Sequence, residues 1–74
     1  MPKGRLTNSV RRLRFETGEM TQAQLAERAG VTRQTIAAIE RNKYAPSLET
    51  AFLIARAFGR PIGEVFGYEA PDGG

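Results

Sequence analysis

The apolar positions of this chain recur at helical spacing. In "NSVRRLRFETG" Val10 and Leu13, with Thr17 on the same side, keep to one face, Asn8 can cap the start and Gly18 is a natural terminator. A first helix is predicted over about Ser9 to Thr17. Thr21 has Gln24 three residues later, the capping-box spacing in which each side chain satisfies an amide left open at a helix start. The second helix then runs from about Gln22 to Ala29. Gly30 takes positive φ without a Cβ clash and turns the chain, and Thr32 caps a third helix over about Arg33 to Arg41. Asn42 is the best non-glycine candidate for a left-handed closing residue. Pro46 and Ser47 open a fourth helix, "LETAFLIARAF", whose apolar residues cover more than one stripe. Such a helix is expected to be buried from more than one side, as a central post. Gly59 stops it, Pro61 suits a first helical turn, and "PIGEVF" reads as a short fifth helix ending at Gly67.

Strand signals are weak throughout, no repeat is visible, and the tail "APDGG" is expected to fray. The fold class expected is all-α, a compact five-helix bundle. Residues 1–7 read as an N-terminal arm, 8–67 as the domain and 68–74 as a C-terminal tail.

Seventy-four residues allow one domain, near the size at which burial on folding is barely sufficient. The chain has neither cysteine nor histidine. Disulfides and thiolate metal sites are thereby excluded, the commonest general base is missing, and no enzyme, metal or cofactor is expected. No run approaches the roughly 20 apolar residues of a membrane span, and no apolar core of signal-peptide length follows the basic start. A soluble, cytoplasmic protein without a membrane partner is expected, and no small-molecule ligand is evident. The net charge of +3 is unevenly spread: residues 1–43 hold nine Lys/Arg against four Asp/Glu, the remainder two against four. A basic half of this kind points to an anionic partner on one face.

The helices on either side of Gly30 can share one core, with Leu25, Ala26 and Ala29 on the first and Val31, Ile36 and Ile39 on the second, which is helix-turn-helix geometry. With Ile36 and Ile39 inward, the outward direction at 100° per residue centres near Gln34 and Arg41, flanked by Ala37 and Ala38. A face meant only for water is usually filled with Glu and Lys pairs, and one meant for a protein shows a large apolar anchor. This face shows neither. Small residues permit close approach, glutamine can bridge N6 and N7 of adenine, and arginine can bridge O6 and N7 of guanine in a major groove.

From Val10 to Phe66 the chain resembles the small helix-turn-helix regulators of the Cro/phage-repressor, or XRE-like, type. The resemblance rests on "TQAQLAERAGVTRQTIAAIE", "ERNKYAPSLETAFLIARAFG" and "EVF". It implies a five-helix DNA-binding domain acting as a transcription factor, usually dimeric. By that resemblance Thr32, Arg33, Gln34, Thr35 and Ala38 match positions that meet base edges or adjacent phosphates, with Arg33 and Gln34 as the main readers. By the same resemblance Gln22, Lys43 and Tyr44 would contact phosphates, and Arg14 and Glu40 would pair at the core edge; Arg41, on the outward face of the third helix, is expected to contact phosphate as well. The family commonly has glycine where this chain has Asn42, and one residue fewer where it has Glu19 and Met20.

A homodimer on an imperfect palindrome is expected because one reading helix spans only a few base pairs. Ile62, Val65, Phe66 and Tyr68 offer more apolar surface than a short helix needs, which makes them the expected dimer interface. Phe15, pointing away from Val10 and Leu13, is left without an assigned neighbour. The rival reading is an antitoxin-like or other protein-interaction module that binds DNA only secondarily.

Overall fold

The computed structural model describes residues 4–70, so the start of the expected arm and the "PDGG" part of the expected frayed tail lie outside the described residues. In chain order the elements are β1 (Arg5–Asn8), α1 (Val10–Glu16), α2 (Gln22–Ala29), α3 (Arg33–Glu40), α4 (Leu48–Phe58), α5 (Ile62–Val65) and β2 (Phe66–Glu69). The architecture is a five-helix bundle, and a small ribbon is added to it.

Local chemistry sets most boundaries. The Thr21 hydroxyl accepts from the Gln24 amide and the Gln24 side chain accepts from the Thr21 amide, which completes the capping box. Thr32 and Ser47 each accept from the amide three residues on, at 3.1 Å. Gly30 closes α2 at φ +74°, and Asn42 takes φ +57° after α3. At α1 it is Asn8 that serves: its Oδ1 accepts from Val10 N–H at 3.1 Å. Its Nδ2 reaches the carbonyl of Ile39 at 2.9 Å and Asn42 Oδ1 at 3.1 Å. One side chain thus ties the start of α1 to the end of α3.

Three features depart from the sequence reading. The fifth helix ends at Val65, not Gly67, because Phe66 already has extended φ/ψ of −121° and 143°. From there β2 runs antiparallel to β1, pairing Arg5 with Glu69 and Asn8 with Phe66. Gly67 belongs to this ribbon, where a Cβ would stand 2.8 Å from Thr7 Oγ1, so the close strand approach selects glycine. Two short strands alone are marginal in water. Here the ribbon is carried by Ile62 and Phe66 packed on the core and by the Ser9 amide donating to the Val65 carbonyl at 2.8 Å.

The second departure lies in the turn between α1 and α2. Gly18 and Glu19 both take positive φ, +68° and +55°, and Met20 folds inward to 3% exposure. The longer turn therefore supplies a core residue. The third concerns α4, which packs on α2 and α5. Ala51, Ile54, Ala55 and Phe58 are buried, whereas Leu48 is 71%, Phe52 48% and Leu53 38% exposed. The helix is covered on one side only and is no central post. Val10, Leu13, Leu25, Ile36, Ile39, Ile54 and Val65 form the centre of the core. Burial of each such side chain contributes about 1.5–3 kcal/mol.

Candidate nucleic-acid interface

Leu25, Ala26 and Ala29 of α2 and Ile36 and Ile39 of α3 are all buried, with Val31 packed beside them. That apolar seam fixes the rotation of α3 and leaves its opposite side to solvent. Arg33, Gln34 and Arg41 are exposed there, while Ala37 and Ala38 are half-buried and keep the surface low. The Lys43 amide donates to the Ala38 carbonyl at 2.9 Å, so the loop after α3 folds back against its last turn. The result is a shallow open groove lined by Arg33, Gln34, Ala37, Ala38, Arg41 and Lys43.

Its electrostatics are one-signed. Among the described residues the ion pairs engage Arg5, Arg12, Arg14 and Arg60, and none reaches Arg33, Arg41 or Lys43. Three cations around one glutamine, with no carboxylate partner, make a surface suited to a polyanion. Thr32 and Thr35 sit at the N-terminal edge, their hydroxyls 2.9 Å apart. Tyr44 is exposed but does not share the groove: it lines a neighbouring depression with Arg5, Leu6, Asn42 and Ala45.

Behind the groove stands a buried polar cluster. Arg14 Nε donates to Glu40 Oε2 at 2.6 Å and Nη2 to Oε1 at 3.1 Å, a two-pronged pairing with the side chains only 9% and 8% exposed. The third guanidinium nitrogen, Nη1, donates to the Met20 carbonyl at 2.8 Å. Gln22 Nε2 donates to Glu40 Oε1 at 3.2 Å, and Gln22 Oε1 stands 3.5 Å from Arg33 Nη1. A chain of polar contacts therefore runs from the core edge to the groove. With one hydrogen of its amide given to Glu40, Gln22 keeps the other for an outside acceptor. Gln22 at Glu40, and Met20 as an acceptor for Arg14, were not foreseen. Arg14 and Glu40 are 26 residues apart, and no local spacing signals such a meeting.

The expected interface residues are divided. Tyr68 is 67% exposed, Ile62 and Phe66 are half-buried, and Val65 is 1% exposed. Val65 points into the core of its own chain, because a one-turn helix seated on the bundle gives its last residue to the interior, and it is removed from any interface. Phe15 is 53% exposed and lies under two guanidinium groups, Arg11 at 5.7 Å and Arg14 at 5.3 Å from its centroid.

A family model described as helix-turn-helix matches residues 12–65. The chain is 56% identical over 50 residues to an uncharacterized HTH-type transcriptional regulator of Methanocaldococcus jannaschii, covering 68% of this chain and 76% of that protein. It is 45% identical over 64 residues to the uncharacterized HTH-type transcriptional regulator YgzD of Bacillus subtilis, covering 86% and 96%. To the immunity repressor protein of Bacillus phage phi105 it is 38% identical over 69 residues, 93% of this chain but 45% of that protein.

Proposed function

Because the chain belongs to the helix-turn-helix family of small Cro/phage-repressor-like proteins, we propose that it binds specific double-stranded DNA sites and regulates transcription, with α3 in the major groove. The observation that carries this is the open, uniformly cationic groove around Gln34, made by low alanines and rimmed by Arg33, Arg41 and Lys43. Arg33 and Gln34 read base edges, guanine and adenine respectively, and Thr32, Thr35 and Ala38 pack against the same edges or the adjacent phosphates. Gln22 positions the domain from the start of α2, where helix-end amides also favour an anion. Arg41 and Lys43 hold phosphates, and Tyr44 extends that clamp from the adjoining depression.

The protein works as a twofold dimer on an imperfect palindrome. One such module covers only about 600–1,000 Å² on DNA, and two reading helices roughly 34 Å apart match successive turns of one groove face. Similarity to a phage immunity repressor favours repression over activation. Such a protein acts in the cytoplasm, on the nucleoid.

Selection of bound duplexes from a random pool tests the reading. A single enriched, twofold-related motif is expected, with affinity falling steeply with salt, by about 0.9 log unit per phosphate contact per tenfold salt. Binding that enriches no motif, or that is indifferent to salt, refutes it.

A further inference from the structure

The side of α4 turned away from the core presents exposed apolar side chains that the DNA-reading function leaves unused. Leu48 and Phe52 lie one turn apart along it, 71% and 48% exposed. Leu6, Pro46, Leu48, Ile62 and Phe66 line one depression, so the surface continues onto α5 and the ribbon. Tyr68 stands beside Leu6 in the ribbon register. Exposed apolar side chains that cluster across neighbouring elements, rather than standing singly, are the pattern of an interaction site.

The charges beside it say what fits. Glu49 and Arg56 are both exposed, and neither enters an ion pair among the described residues. They are seven residues apart, hence close to two full turns and roughly 10 Å along the same side of α4, with Phe52 and Leu53 between them. Reversing this face end for end superposes each charge on its opposite. That is the requirement of a twofold interface, in which residue i meets j and j meets i.

We propose that this face docks a second copy of the chain, α4 crossing the partner's α4 antiparallel about Phe52, so that Glu49 meets the partner's Arg56 and Arg56 meets the partner's Glu49. Leu48, Ile62, Phe66 and Tyr68 flank the crossing. Pro46 and Leu48 directly follow the Lys43–Tyr44 loop, so the second copy sits next to the DNA clamp, as a palindromic site needs. The inference rests on the twofold reading above and gives it a surface, Leu48 and Phe52 taking the place of the buried Val65.

The test is sedimentation velocity of the full chain over a dilution series, with folding of each variant checked by circular dichroism. The wild type passes from monomer to dimer. Phe52→Glu weakens association on the order of a hundredfold or more, since the residue is used twice. If that variant does not fold, Leu48→Glu, at a still more exposed position, replaces it. Glu49→Arg and Arg56→Glu each weaken association on the order of tenfold. Their equimolar mixture recovers it, because the mixed dimer carries opposite charges at both contacts. A wild type that stays monomeric, dimers indifferent to these changes, or a mixture no better than its parts overturns the proposal; a stable complex with an unrelated protein by a monomeric wild type does so in favour of a heterologous partner. Affinity for a half-site duplex separates the two readings: a monomeric variant keeps it while losing affinity for the full palindrome, whereas absence of half-site binding in every form refutes DNA reading and leaves the dimer face standing.

Discussion

Removing Arg14 tests whether the buried pair holds the reading helix. Glu40 lies on α3 with its side chain 8% exposed, and two of the three bonds of the Arg14 guanidinium go to it. Arg14→Ala strands that carboxylate in a largely dry site, a change that costs about 3–5 kcal/mol when a buried pair loses one member. Gln22 still donates to Glu40, which places the expected loss near the lower end, roughly 3 kcal/mol. A domain of 74 residues has about 4–11 kcal/mol in all, so roughly a quarter to three quarters of the stability goes. In thermal terms the fall is about 12–24 °C. Urea unfolding followed by circular dichroism reads this directly, as a lower midpoint at unchanged slope. The double variant Arg14→Met with Glu40→Met removes both charges and is expected to recover most of the loss, because well-packed apolar replacements of a buried pair are often neutral or stabilising. A cost below about 1 kcal/mol for Arg14→Ala, the behaviour of an exposed pair, refutes the reasoning, as does simple additivity of the two single changes.

Gln34→Ala is expected to lose about 1–3 kcal/mol on the selected duplex and almost nothing on random DNA, measured by fluorescence anisotropy; an equal loss on both removes Gln34 as a base reader. Lys43→Ala weakens all duplexes alike and lowers the slope of log affinity against log salt by about 0.9, whereas an unchanged slope shows that Lys43 touches no phosphate. Met20→Ala, at a position only 3% exposed, costs about 2–5 kcal/mol in the same unfolding assay. A loss within about 0.5 kcal/mol, as at surface sites, contradicts its place in the core.

The helices flanking the groove were legible because their signals are local. Thr21 with Gln24, Thr32, Ser47, Gly30 and Gly59 each satisfy or release backbone groups within a few residues of themselves, and the observed caps use the side chains of the first four and the left-handed backbone of the two glycines. The inward seam of Ile36 and Ile39 follows from the helical repeat, and the outward place of Gln34 and Arg41 follows from the seam. The ribbon was not legible: "RLTN" and "FGYE" are four residues each, too short for a period-two pattern, and their pairing joins opposite ends of the chain. In α4 the count of apolar residues was right but its inference was not, because composition says nothing of whether a neighbour exists to cover Leu48 and Phe52. The inward turn of Met20 has no marker in the sequence, because nothing there signals the positive φ of Glu19 that sends it into the core. The meeting of Arg14 and Glu40 came from family resemblance rather than from spacing, and the part played by Gln22 needed coordinates.

Titration of an isotopically labelled protein with a selected duplex, followed by amide and side-chain NMR shifts, reports which face of the domain meets DNA. The largest shifts are expected on Arg33, Gln34, Ala38, Arg41 and Lys43, with Gln22 affected at the start of α2. Shifts confined to α4 and the ribbon, with the α3 groove silent at saturation, contradict DNA reading by α3.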